Sequence, residues 1–457
     1  MTVWYAQNSS VNIDSVNEWN DQADGLGNWL TWANLTNGDT LNANGRTGVV
    51  VNVNVTPTGS MLATTGGAAA FDCSTAQTIN MSITGGSAAS THGLRLLAGA
   101  VLTMGAGTTI TGGSLANLYG VLWGTGNPAA TLNAVSASGG NTAGQFNAHG
   151  VYVNSTNATL SVSGTATGSA VAGGVYYASA STSAHSINAA QGGSGSSGRG
   201  VRFGVSATNV TIGTATGGSG SAHGVSAEAG SPVFTVTNAY AGSDNGTYGL
   251  SVASGVSVST VTNAYGGSVA GAHGAVVSSG SATLVVGTAK GGSVMGASGV
   301  YADLGICTVN GTDLTGTGYP VSVNRGSVKV AAAVTMQFSD AAGVLKKFYD
   351  PTSIATMLPA AGEVWENAGN FGIPGSLITP TRVDASVGNV RKGWNYGDPV
   401  DQNVGTLYMP NATGHGDGSQ IQTELVLASI GGNTVHWGVD NAEVGTAAVG
   451  SVIVVDD

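Results

Sequence analysis

Charge is scarce in this chain: 12 Lys and Arg and 23 Asp and Glu in 457 residues make 8%, where a globular protein carries about a quarter. Basic clusters are absent, Lys346-Lys347 being the densest pair, and the net charge is −11. A phosphate backbone is held by clustered Lys and Arg that displace counterions, so nucleic acid is excluded as an expected partner. No stretch holds the 18 or so consecutive apolar residues of a membrane helix. Met1-Thr2-Val3-Trp4-Tyr5-Ala6-Gln7-Asn8 has neither a basic start nor a continuous apolar run, so it does not read as a secretory signal. Only two cysteines occur, Cys73 and Cys307. Their separation predicts two free, buried thiols rather than a disulfide.

Glycine is abundant, at 75 residues, and Val, Ala, Ile and Leu recur in short alternating runs. Low net charge per residue combined with those runs argues against disorder. A residue that is aromatic or small and polar, then Gly, then an apolar pair recurs at Gly93, Gly120, Gly150, Gly174, Gly200, Gly224, Gly249, Gly274 and Gly299. The spacings are 27, 30, 24, 26, 24, 25, 25 and 25. A Gly-Ser signal keeps the same phase, as at Gly193-Ser194, Gly218-Ser219, Gly242-Ser243, Gly267-Ser268 and Gly292-Ser293. Two markers sharing one period define one repeat per coil.

Within a coil, segments such as Val151-Tyr152-Val153 and Ala158-Thr159-Leu160-Ser161-Val162 alternate with period two, which means strand. Helix is excluded by the Gly and β-branched content and the missing three-to-four spacing. The L-x-x-L-x-L frame of leucine-rich repeats is missing, and propeller blades need about 40 residues. The predicted fold is therefore all-β: a parallel β-solenoid, of the right-handed β-helix type, with about 25 residues per coil. Coils stack at about 4.8 Å, so equivalent residues form columns. Gln191, Thr216, Tyr240, Tyr265 and Lys290 are expected in one such column, with the two Thr-Asn-Ala-Tyr stretches ending at Tyr240 and Tyr265 directly superposed.

Three regions follow. Residues 1–60, holding Trp4, Trp19, Trp29 and Trp32, read as an N-terminal cap or attachment segment over an otherwise open coil. Residues 61–335 form the solenoid, its repeat clearest from about residue 90 to 330. Residues 336–457 hold prolines and eighteen of the charged residues, and read as a mainly β attachment or oligomerisation region. A short helix is expected within Pro351 to Glu366, and hairpins from Leu425 to Val455 with turns at Gly431-Gly432-Asn433 and Asp440-Asn441.

Glycoside cleavage calls for two carboxyl groups about 5 to 9.5 Å apart. No Asp or Glu lies between Asp72 and Glu228; the later solenoid acids are Asp244, Asp303 and Asp313. Glu228 and Asp303 share an offset from their coil glycines but lie three coils apart, roughly 14 Å at that stacking distance. No catalytic residue is expected within one chain, and a site shared between subunits through Asp303 or Asp313 is the remaining enzymatic alternative. His92, His149, His223 and His273 each precede a coil glycine, several coils apart, too far to share a metal. Recurring Gly-Gly-Ser without Asp gives no calcium ladder, and His415-Gly416-Asp417-Gly418 is only a fragment of a loop site. No metal or cofactor is expected. Tyr240 and Tyr265, with Tyr152, Tyr176 and Tyr301 two residues after their glycines, are the candidate sugar-binding face; the alternative is that they cover the flank or a subunit interface.

The opening segment, with Trp4-Tyr5, Trp19, Gly27-Asn28-Trp29-Leu30-Thr31-Trp32 and Gly38-Asp39-Thr40 through Asn44-Gly45, resembles that of β-helical bacteriophage virion proteins. Asn389 through Gly397 and Gly405-Thr406-Leu407-Tyr408-Met409-Pro410 are similar to a short module recurring in phage fibre proteins. The resemblance implies a non-enzymatic tail fibre, tail spike or head decoration, a homotrimer bound to other virion proteins and in reach of host-surface polysaccharide. Scarce carboxylates depart from spikes that depolymerise their receptor. The alternatives are a bacterial surface adhesin or surface-layer protein, and a polysaccharide depolymerase with an intersubunit site. The expected location is the virion, or otherwise the bacterial cell surface.

Overall fold

The computed structural model describes residues 2–339, apart from short stretches of which 63–70 and 141–147 are the longest. Beyond them it describes the strands Leu345–Tyr349, Phe371–Ile373, Ser376–Ile378, Leu425–Ile430, Asn433–Gly438 and Ser451–Val455. The described chain is all-β, with one 3-10 turn at Trp32–Asn34. No described helix is long and apolar enough to cross a membrane.

The architecture is a parallel β-solenoid. Each full coil contributes a three-residue strand and a longer strand, and two sheets run the length of the stack. The short sheet has eleven strands, from Phe71–Cys73 to Val321–Val323, and at about 4.8 Å per step spans about 48 Å. The long sheet includes Ala158–Thr167, His185–Gln191, Val210–Thr216, Phe234–Tyr240 and Ser259–Tyr265, each paired in parallel with the next. The column Gln191, Thr216, Tyr240, Tyr265, Lys290 forms as the repeat predicts, and Asn238 pairs with Asn263.

Alternation decides which side chains fill the interior. Along Phe234–Tyr240, Phe234, Val236 and Ala239 are buried while Thr235, Thr237 and Tyr240 are exposed. The inward step from 236 to 239 skips a residue, so the long strand turns a corner there. The same place carries a register shift between Val162 and Thr165. One side of the corner takes large residues: Tyr177, Phe203 and Phe234 stack inside with centroids 5.1 and 5.0 Å apart. The opposite side is narrow, and the inward column there is Ala166, Ala190, Ala215, Ala239, Ala264 and Ala289, all buried. The coil glycines face it. Both cysteines are free and buried, several coils apart in one apolar core.

The parallel stack reaches further toward the N terminus than the 25-residue repeat does. Val3–Ala6 pairs in parallel with Asp39–Asn42, which pairs with Val55–Leu62. The free edge of Val3–Ala6 receives Trp19–Asn20 antiparallel, placing the Trp19 ring wholly inside. Buried Asp39 accepts from the backbone N–H of Thr2 and Thr36, from Thr36 Oγ1 and from Trp4 Nε1. Burial alone would raise its carboxyl, but these donors outweigh it and hold its pKa below the usual value.

At the other end the pairing changes sense. Thr335–Ser339 forms an antiparallel hairpin with Leu345–Tyr349, and Ser451–Val455 lies antiparallel to Ser327–Val330. Leu425–Ile430 and Asn433–Gly438 form the hairpin expected at Gly431-Gly432-Asn433. The expected helix within Pro351 to Glu366, the segments 389–397 and 405–410, and His415 to Gly418 lie outside the described residues.

Candidate functional site

The outer flank of the short sheet carries most of the solenoid's ionisable and aromatic side chains, in two adjoining columns. One column is the middle residue of each short strand, which alternation turns outward: Asp72, Arg95, Leu122, Tyr152, Tyr176 and Arg202, continuing through Ser226 and Ser251 to Tyr301. The other is the residue before each coil glycine.

In that second column the histidines are not isolated, because tyrosines occupy intervening coils. His92 stacks on Tyr119 at 5.0 Å, and Tyr119 neighbours His149 at 5.8 Å. Further along, His223 stacks on Tyr248 at 4.7 Å and Tyr248 neighbours His273 at 5.5 Å. Each imidazole also bonds its neighbouring coil. Nδ1 of His92, His149, His223 and His273 accepts the backbone N–H of Tyr119, Gly173, Tyr248 and Ser298 at 3.1, 3.0, 3.1 and 2.9 Å. A nitrogen that accepts from an amide carries no proton, so these are neutral imidazoles protonated at Nε2. Burial pushes their pKa values down, to about 3 for His149 and about 4 for the other three. Burial likewise raises Tyr119, to about 12. The column is a run of staples between coils. No group of three or more His, Cys, Asp or Glu placed to hold a metal occurs among the described residues.

The carboxylates act in the same way. Asp72 takes a two-pronged contact from Arg95, one coil above, at 2.8 and 2.5 Å. Glu228 is gripped by Arg199 at 2.8 Å and by Arg202 at 2.7 Å, and accepts from Ser226. The Arg202 guanidinium lies 4.7 Å over the Tyr176 ring, a cation–π contact. Asp303 meets Arg325 at 3.6 Å and accepts from Asn324 at 2.9 Å; Asp313 accepts from Gln337. Glu228 and Asp303 therefore each have separate partners.

The five candidate tyrosines do not form one surface. Tyr152 and Tyr176 adjoin, edge to face at 5.5 Å. Tyr301 is five coils further, about 24 Å at the stacking distance, against His273 at 5.1 Å. Tyr240 and Tyr265 belong to the long sheet, stacked at 4.8 Å with planes 9° apart. A sugar packs on an open aromatic face, whereas Tyr152 has Tyr119 parallel to it at 4.3 Å. The Tyr240–Tyr265 pair retains more access, Tyr240 being 38% exposed with Thr216 as its next register neighbour. Sequence reasoning missed Tyr119, Tyr248, Arg199 and Arg202. The signal for the first two was present, since Tyr119 and Tyr248 precede Gly120 and Gly249 as the histidines precede theirs.

Comparison with family models, curated proteins and solved structures finds no match.

Proposed function

We propose that the chain is a non-enzymatic structural protein of a bacteriophage virion, a fibre, spike or decoration built on a solenoid rod. The observation that carries the structural part is where the ionisable groups are used. Four imidazoles accept amides of neighbouring coils, and Asp72, Glu228 and Asp303 are paired with arginines. A general acid or base needs a proton to exchange and room beside it; these side chains hold coils together. The virion assignment rests on the resemblance of the opening segment and of residues 389–410. Host-surface glycan is the proposed outside contact, with Tyr240 and Tyr265 the most accessible of the candidate aromatics.

Two measurements test this. Incubation with host capsular polysaccharide is expected to release no new reducing ends, with Asp303→Asn and Asp313→Asn changing nothing. Release that either substitution abolishes would establish the intersubunit depolymerase instead. Mass spectrometry of purified particles from a strain carrying the gene is expected to recover the chain in the particle fraction. Recovery only from the cell envelope would establish the adhesin.

A further inference from the structure

We infer that the outer face of the long sheet is where copies of this chain pack on one another. The long-sheet strands from Ala76–Thr84 through Thr283–Lys290 carry no Asp, Glu, Lys or Arg before Lys290. The outward columns in their place are uncharged, with Thr211, Thr235 and Thr260 in one and Thr214, Asn238 and Asn263 in another. The charges of these coils lie on the short-sheet flank or, for Asp244, in a turn. On a chain of net charge −11, this is the face two copies can share without bringing like charges together. Cores of protein interfaces are likewise depleted of charge.

Size and exposure agree. Nine stacked strands of about seven residues make a face about 38 Å by about 23 Å. That is on the order of 900 Å², beside the roughly 800 Å² per partner of a standard stable interface. Of the seven exposed large apolar side chains, Val101 at 44% and Tyr240 at 38% belong to this face. A second copy is the occupant because it brings the same flat, neutral, Thr-rich surface and the same apolar side chains.

Light scattering tests it on the full chain. The wild type and the turn control Asn245→Lys are expected at a multiple of 44.6 kDa, and Thr235→Lys/Thr260→Lys at the single-chain mass with thermal unfolding intact. A single-chain wild type at tens of micromolar, or a double-lysine variant with wild-type mass, would overturn the inference. A second variant covers misfolding of the first: Thr262→Cys, exposed on this face, is expected to cross-link two copies through a short bis-maleimide while buried Cys73 and Cys307 stay unreacted. Failure to cross-link would also overturn it. The inference deepens the structural reading, but a monomer would leave the non-enzymatic proposal standing, and polysaccharide cleavage would remove that proposal without touching this one.

Discussion

Replacing Gly224 by Ala is expected to cost more than about 4 kcal/mol, the range reached only when a substitution forces the packed backbone apart. A Cβ at Gly224 would lie 2.6, 2.7 and 2.8 Å from the carbonyl oxygens of Tyr240, Gly249 and Ala215. All three are backbone atoms of stacked strands, so no side chain can swing away to make room. Gly249 is held in the same way, by Tyr265 N, Ala239 O and Gly274 O. The two sheets meet at this corner, and the glycines admit the close approach that leaves the alanine column beside it buried. The control is Gly246→Ala, in a turn with φ +68° and nothing within 4 Å. It is expected to lose only about 1 kcal/mol, from a left-handed backbone that Ala adopts poorly. Thermal and urea unfolding of the two variants compare these directly. A Gly224→Ala protein within about 1 kcal/mol of wild type would rule out the close corner.

Acid is expected to weaken the rod well before ordinary carboxylates titrate. His92, His223 and His273 have folded pKa values lowered to about 4 and His149 to about 3, in each case first by burial; His185, buried against Tyr177, is also lowered to about 4. Unfolded histidine titrates near 6.5. Above that pH both states are neutral and the staples contribute fully. As pH falls from about 6.5 to about 4 the unfolded chain binds protons that the folded chain refuses, so stability falls through that window and levels off below the folded values. Each histidine contributes of order 3 kcal/mol at most, by the usual conversion of a pKa shift. The urea midpoint should therefore drop markedly between pH 8 and pH 4.5. His149→Gln and His273→Gln should lower the midpoint at pH 8 yet flatten its pH dependence. A midpoint constant across that window would contradict the neutral staples.

The fold was legible because the solenoid repeats its constraints every coil. The glycine before each short strand and the Gly-Ser turn recur, and the Tyr240–Tyr265 column follows from a register that period fixes. The site was less legible because its contacts join residues 23 to 29 apart. Arg202 and Glu228, 26 residues apart, show no local pattern, and nothing near Arg95 points to Asp72. The His–Tyr staples sat at a marked position, but Gly173, Arg199 and Ser298 interrupt the alternation and hide it. At the N terminus, Val3–Ala6 joins the stack across a loop unlike a later coil, so periodicity alone could not find it.

The stacking register underlies the account, and it is tested most directly by spin labels placed in one outward column of the long sheet. Ser186, Thr211, Thr235, Thr260, Val285, Thr308 and Lys329 follow one another in register. With labels at Ser186→Cys and Thr308→Cys, and separately at Ser186→Cys and Lys329→Cys, in chains diluted with unlabelled protein, dipolar spectroscopy should give narrow distances of about 24 Å and about 29 Å, one coil step of about 4.8 Å apart. Broad distributions, or a difference unrelated to that step, would contradict the stacked solenoid.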